Sequence, residues 1–398
     1  LDAPTEPSSY PVPRTCPLDP APVYPRLRAE QPLHRSTLDF DGSDVWLVTG
    51  HADACAVLAD DRFSSDFSRD GFPARMTVRP PGPGTFIRMD PPDHTRLRRT
   101  IVGEFRKKRL EELRPAVQGI VDELVDTMLS GGGTADLVQA IALPLPTLVI
   151  CELLGVPYRD RAFFQECTQV IGDQSAPPAR RQVVRDELRE YLDRLVREKT
   201  AEPTDDLLGR AAARLDEDGI THDELVGIAT LLMIAGFETI ANQIGVGTLV
   251  LLQHPEQLAE LVKDPARVPG AVEELLRHQT VIDYGLRRVA TEDVEVAGKT
   301  VRAGEGVVVV LSSANRDERV FPDPDRLDIT RPEAAEHLGF GYGLHQCLGQ
   351  LLARLQLQVL WSTLFARVPT LRLAVPLDDV PFRSDMFVHG VHALPVTW

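Results

Sequence analysis

Apolar residues recur at helical spacing over Leu110 to Leu129, Leu137 to Leu154 and Arg181 to Arg197, and each stretch predicts a helix. The most sustained pattern begins at Thr221-His-Asp-Glu224, where a hydroxyl followed three residues later by a carboxylate signals a capping box. An apolar run then continues to about Gln253 and stops before Pro255. Such a helix is roughly 45 Å long at about 1.5 Å per residue. Being apolar nearly all round, it should lie buried. Trp46 to Thr49, Val289 to Val296, Lys299 to Arg302 and Gly306 to Leu311 look like short strands, the last three forming a small sheet. Ala52 to Ala59 looks like a helix. The prolines before Pro25 predict an extended N-terminal tail over residues 1–25. Between Arg62 and Met89 the pattern breaks into Gly and Pro, and a long irregular loop in a compact fold usually has a functional reason. The expectation is a mainly α protein with a small β region, folded as one large domain over residues 1–398.

Composition narrows the classes. The chain has 398 residues and a formal net charge of −16, which argues against nucleic acid or an anionic membrane as partner. Five scattered cysteines with no CxxC pair suit a reducing cytoplasm rather than a disulfide framework. No uninterrupted apolar stretch is expected to span a bilayer, since the best candidate, Ile141 to Gly155, contains Pro144, Pro146 and Glu152. The N-terminal residues show no signal peptide. The chain is expected to be a cytoplasmic monomer.

Chemistry concentrates in four places. From Phe340 to Arg354, Cys347 follows Gly341 and Gly343 and precedes Gly349 and a helical pattern. Glycines there would let backbone pass close to something flat and bulky. A cysteine at a helix N-terminus is expected to have a lowered pKa, and backbone N–H groups aimed at a thiolate suit an axial ligand of haem iron. In Asp90-Pro-Pro-Asp-His-Thr-Arg-Leu-Arg-Arg99, Asp93 is expected to cap a helix that carries His94 and Arg98 on one face. Ala235-Gly236-Phe237-Glu238-Thr239 sets an acid and a hydroxyl in the apolar helix, costly unless used, although Thr239 could simply bond back to the Ala235 carbonyl. Glu274 and Arg277 form an acid–base pair at helical spacing. A basic run, Arg106 to Arg109, stands out in so acidic a chain.

Phe340, Gly343, Cys347 and Gly349 match F-x-x-G-x-x-x-C-x-G, and the chain resembles the cytochrome P450 monooxygenases over nearly its whole length, most closely the soluble actinobacterial type. The resemblance implies the fold of that family, with haem b held between the long central helix and the cysteine loop. It implies Cys347 as iron ligand, with Phe340, Gly341, Gly349, Ala235 and Gly236 against the haem. His94, Arg98, Arg288 and His345 would hold the propionates. Glu238 and Thr239 would deliver protons, and Gly236 would let the helix open toward the haem. Ile240, where relatives often have Thr, suggests a drier pocket. Substrate-lining candidates are Arg75, Met76, Val78, Arg79, Phe86, Leu232, Phe237, Ile282, Leu286 and Phe387. Glu274 and Arg277, with Arg326 as third partner, would serve architecture. The implied reaction is hydroxylation or epoxidation of a small hydrophobic molecule with O2, using electrons from a ferredoxin and its NAD(P)H-dependent reductase. Arg106 to Arg109 would dock the acidic donor. The substrate expected is a macrolide or other polyketide, with a steroid, terpenoid or xenobiotic as alternative. A haem sensor without turnover would need a defective acid–threonine pair. A zinc protein would need ligand spacing that is absent.

Overall fold

A computed structural model of the chain describes residues 9–73, 82–172, 176–383 and 388–398. Helices dominate. The longest described, His222–Gln253, opens with the predicted capping box: the Thr221 hydroxyl accepts from Glu224 N–H while the Glu224 carboxylate accepts from Thr221 N–H. Against expectation, this helix is long and apolar enough to cross a membrane by length and composition. Its apolar surface is instead consumed by packing, since every residue from Ile240 to Leu251 is buried. Pro144–Leu154 and Pro178–Ala201 pack directly on it, and Lys107–Ser130 packs on Pro144–Leu154 and on Gln350–Arg367. Val121, Val149, Leu192, Leu249 and Leu364 are among the side chains of their common core. Gly247 admits the Trp361 ring, whose carbons would lie 2.6 Å from any Cβ there, and the Trp361 indole N–H donates to Thr248 Oγ1 at 3.1 Å. That contact locks the cysteine-loop helix onto the central helix.

The helix predicted over Leu137 to Leu154 is two pieces: a π-type turn, Val138–Ala142, then an α-helix beginning at Pro144. Proline has no N–H to donate and crowds the preceding turn, so the second helix starts there.

A six-stranded sheet runs in the order Ser9–Tyr10, Leu33–Leu38, Asp44–Val48, Gly306–Val309, Leu286–Ala290, Phe63–Ser64. Leu33–Leu38, missed in the sequence, pairs antiparallel with Asp44–Val48 through Leu33↔Val48 and Thr37↔Asp44. Val294–Val296 and Lys299–Val301 do not join this sheet but form their own hairpin. Ala297 and Gly298 at its tip both have positive φ, the backbone twist that a tight two-residue turn requires. The N-terminal tail is anchored rather than merely extended. Tyr10 is buried, its hydroxyl donates to Asp283 O at 2.8 Å, and Tyr24–Glu30 is a helix packed against Val45 and Val308.

Candidate functional site

The cysteine loop is held by its own backbone. Cys347 N–H donates to Phe340 O at 2.8 Å, Gln346 N–H to Gly343 O at 3.0 Å, and Gly341 N–H to Leu338 O at 2.8 Å. Gly341 and Gly343 have φ of 68° and 72°, and a Cβ on Gly343 would fall 2.5 Å from Leu58 O. These glycines therefore serve a left-handed backbone and close passage over the helix His51–Ala59. Cys347 itself is exposed. Desolvation by burial pushes its thiol pKa up, against the pull of Gly349 N–H and the charges of Arg98 and Arg354. The expected lowering at a helix N-terminus is thus overturned for the free thiol. Its stable thiolate needs a further cation within bonding reach.

Arg98 Nη2 donates to Gln346 O at 2.7 Å, so the helix Asp93–Ile101 grips the loop one residue before the cysteine. This helix starts without the predicted cap. Pro92 occupies the cap position without a side-chain bond, while Asp93 sits in the first turn beside Arg96 at 3.3 Å. The Asp90 carboxylate accepts from Ser65 N–H at 2.8 Å and from the Ser64 hydroxyl, tying the helix start to the sheet edge.

Four cationic or potentially cationic side chains converge here. The His94 and His345 rings are 4.2 Å apart between centroids, and Arg288 is buried. Burial, then the Arg98 charge, lowers the His94 pKa to about 4. Burial, then Arg288, His94 and Arg98, lowers that of His345 to about 3. Burial also brings Arg288 down to about 10, with Asp90 opposing and Arg88 reinforcing the shift. His94 is 0 % exposed, and among the described residues neither of its ring nitrogens has a hydrogen-bond partner. An unpaired buried imidazole costs free energy of about 1–3 kcal/mol. A group bringing carboxylates to this spot would relieve both the lost hydrogen bonds and the mutual repulsion. The residues therefore fit the propionates of a haem.

On the central helix, Thr239 Oγ1 donates to Ala235 O at 3.1 Å, the local alternative weighed for it above. Ala235 is exposed in the middle of a largely buried helix. Gly236 does not face the same opening. A Cβ there would meet Ile150 Cδ1 at 2.9 Å, so its small size serves packing against the helix Pro144–Leu154. The helix is unbroken through this stretch. Glu238 lies 3.8 Å from Arg383. Burial raises its pKa, while Arg383, Arg185 and Arg181 pull it back.

Other candidates fall differently. Phe86 and Phe237 are 2 % and 1 % exposed, filling the helical core rather than an open wall. Leu232, Ile282 and Leu286 are half-buried, and Leu286 Cδ1 would be 3.1 Å from a Cβ on Gly341, which sets it against the cysteine loop. Arg75, Met76, Val78, Arg79 and Phe387 lie outside the described residues.

The architectural pair is fully buried. Arg277 donates to both Glu274 oxygens, Nε to Oε2 at 2.7 Å and Nη2 to Oε1 at 2.8 Å. Its third partner is Arg331, whose Nε donates to Glu274 Oε1 at 3.2 Å, and not Arg326. Arg326 is exposed and supplies only its carbonyl, which accepts from Arg331 Nη2 at 3.0 Å. The two arginines lie in one loop, and only its folded path decides which points inward. A second network went unseen in the sequence. Glu273 accepts from Arg354 at 2.7 and 2.8 Å and pairs with His337 at 3.2 Å, and these contacts outweigh burial to lower its pKa to about 2. Arg354 also covers the Phe340 ring, 4.6 Å from its centroid. Two successive glutamates before the Arg277 turn were the available signal.

The chain matches the family model described as Cytochrome P450 over residues 34–381. It is 50 % identical to cytochrome P450-SU2 of Streptomyces griseolus, across 96 % of this chain and 94 % of that protein. The crystal structure of GfsF superimposes with a TM-score of 0.93 at 45 % identity, covering 99 % of this chain and 100 % of that one. The mycinamicin VIII C21 methyl hydroxylase MycCI from Micromonospora griseorubida, bound to mycinamicin VIII, gives 0.89 at 43 % identity over 98 % and 100 %.

Proposed function

The chain belongs to the cytochrome P450 family, and from that premise we propose that it hydroxylates or epoxidises a macrolide or other polyketide at a haem b held by Cys347. The observation that carries the cofactor reading is the buried His94, with both ring nitrogens unpartnered among the described residues, set against His345 and near Arg288 and Arg98 beside the cysteine loop. His94, Arg98, Arg288 and His345 would take the propionates, and Cys347 the iron. When bound, a thiolate-ligated haem supplies dioxygen activation, the sulfur favouring O–O cleavage.

The protein's own part is positioning and proton management. The Thr239 hydroxyl donates to the Ala235 carbonyl, and a change of χ1 rotamer would release its proton for a new partner. Glu238, 3.8 Å from Arg383, would relay protons to the Thr239 hydroxyl once that contact opens. Ala235 and Leu232 provide an apolar wall that orients a C–H bond. Electrons would come from a ferredoxin served by an NAD(P)H-dependent reductase. Arg106, Lys107, Lys108 and Arg109 are all exposed and offer an acidic partner a charged landing. All five cysteines are free, as a reducing cytoplasm would keep them.

The macrolide reading is supported by MycCI, whose structure holds mycinamicin VIII. Titrating the ferric protein with macrolide, other polyketide and steroid candidates tests it. A fitting substrate displaces the water ligand and moves the Soret band toward the high-spin position. A response to macrocycles and none to steroids is expected, whereas a response to steroids alone would overturn the substrate class and leave the chemistry standing.

A further inference from the structure

The segment joining the helix Val268–His278 to the strand Leu286–Ala290 carries Ile282 and leads into Leu286, two half-buried candidates for the substrate wall. Leu286 and Arg288 alternate onto one face of that strand, and Leu286 meets the cysteine loop at Gly341. Arg287 takes the opposite face, with its guanidinium 4.9 Å over the Phe40 ring. Among the described residues, 279–285 belong to no helix or strand and make one isolated bridge, Ile282↔Val388, beside which His389 N–H donates to Val281 O at 2.7 Å. A segment with so few ladder bonds takes its shape from the other groups that satisfy it. The N-terminal tail supplies them. Gln279 Nε2 donates to Leu18 O at 2.8 Å, Arg14 Nη2 to Asp283 Oδ1 at 2.6 Å, and the Tyr10 hydroxyl to Asp283 O at 2.8 Å. The Arg14 and Asp283 side chains are only 13 % and 26 % exposed, and Arg14 Nη1 also donates to Asp19 O at 3.1 Å, so the guanidinium is held on two sides. Tyr10 is itself fixed, because Ser9–Tyr10 pairs with the strand Leu33–Leu38. Gly285, at φ 65°, lets the segment pass against it, since a Cβ there would lie 3.1 Å from the Tyr10 hydroxyl oxygen.

We propose that Tyr10 and Arg14 are positioning residues for substrate selection: they clamp Asp283 from outside the pocket, so that Ile282 and Leu286 present a fixed wall inside it. The inference rests on the monooxygenase reading of the pocket and adds a selectivity element that lies far away in the chain. Its physical basis is preorganisation. A wall already held by the tail loses little freedom when a ligand packs on it, whereas a freed wall must be ordered by each ligand that reaches it. A ligand that stays at the iron is indifferent to the clamp.

The test titrates the haem-loaded full chain with two ligands of ferric iron: imidazole, which needs only the iron, and 4-phenylimidazole, whose second ring reaches the wall. Arg14→Gln should weaken 4-phenylimidazole about fivefold while leaving imidazole within about twofold of wild type. Tyr10→Phe, which keeps the buried ring, should shift the same ratio in the same direction. Asp283→Asn should match Arg14→Gln, and the double variant should lose no more than either alone. An unchanged ratio, equal losses for both ligands, or full additivity in the double variant overturns the clamp. Amide hydrogen exchange reads the wall without ligand or haem. Residues 280–286 should exchange faster in Arg14→Gln with the central helix unaltered. No change over 280–286, or faster exchange spread through the central helix as well, also overturns it. Absence of a thiolate-type Soret band in the reduced carbon monoxide complex would sink the monooxygenase reading instead, and the exchange result would still decide the clamp.

Discussion

At the scale of single residues, two side chains are caught in a resting arrangement. The Thr239 proton is spent on the Ala235 carbonyl and the Glu238 charge on Arg383. Thr239→Ala should leave substrate binding and electron uptake intact while product formed per NAD(P)H consumed falls by about tenfold or more, measured as coupling efficiency. Cys347 poses the opposite problem, because desolvation raises its pKa in the free protein. Cys347→His should still bind haem in the His94–His345–Arg288 setting. Its reduced carbon monoxide complex should show the spectrum of imidazole-ligated haem, and an unchanged thiolate-type band would rule Cys347 out as ligand. His94 carries a pH consequence. It is neutral in the folded apoprotein down to about pH 4, against about 6.5 when unfolded. The unfolded chain thus binds the extra proton first, and the apoprotein should lose stability as pH falls from about 6.5 toward 4. Thermal melts of wild type and His94→Gln across that window should converge on acidification.

At the scale of elements, the helix carrying Glu273, Glu274 and Arg277 is the joint that fixes the cysteine loop. Glu274 holds Arg277 and Arg331 in the dry interior, while Glu273 holds Arg354 and His337 on the loop side. Arg277 keeps Glu274 paired when Arg331 is lost, so Arg331→Ala removes one charge-assisted bond and leaves the Asp323 and Arg326 carbonyls short of a donor, a cost of about 1–3 kcal/mol in chemical denaturation. Arg326→Ala should change little, because the exposed side chain can be lost while its carbonyl stays. Equal losses would argue that the loop, not the buried charge, is what matters.

For the whole molecule, charge is distributed unevenly. The chain carries a net −16, yet Arg106 to Arg109 present an exposed basic run at the start of the long helix Lys107–Ser130. Reversing Lys107 and Lys108 to Glu should slow reduction by an acidic ferredoxin by about tenfold at low ionic strength, with the difference fading as salt rises. The spin-shift titration should be unaffected. Stopped-flow reduction at several salt concentrations makes the comparison.

Much of this was legible along the chain, because some signals are local. A capping box and a helix apolar on all sides each follow from interactions within a few residues, and the structure places them as read, while the glycines before Cys347 serve a left-handed backbone passing over the helix His51–Ala59. Other outcomes depended on what another part of the chain brought close. Whether Arg326 or Arg331 reaches Glu274 depends on the path of a loop, and the role of Gly236 on Ile150 lying across from it. The sheet gathers Ser9–Tyr10 and Gly306–Val309 from opposite ends of the sequence, a pairing that no local pattern encodes. The charge balance around Glu238 is of the same kind. It needs Arg383 on the strand Phe382–Arg383, which folding alone brings to within 3.8 Å of Glu238.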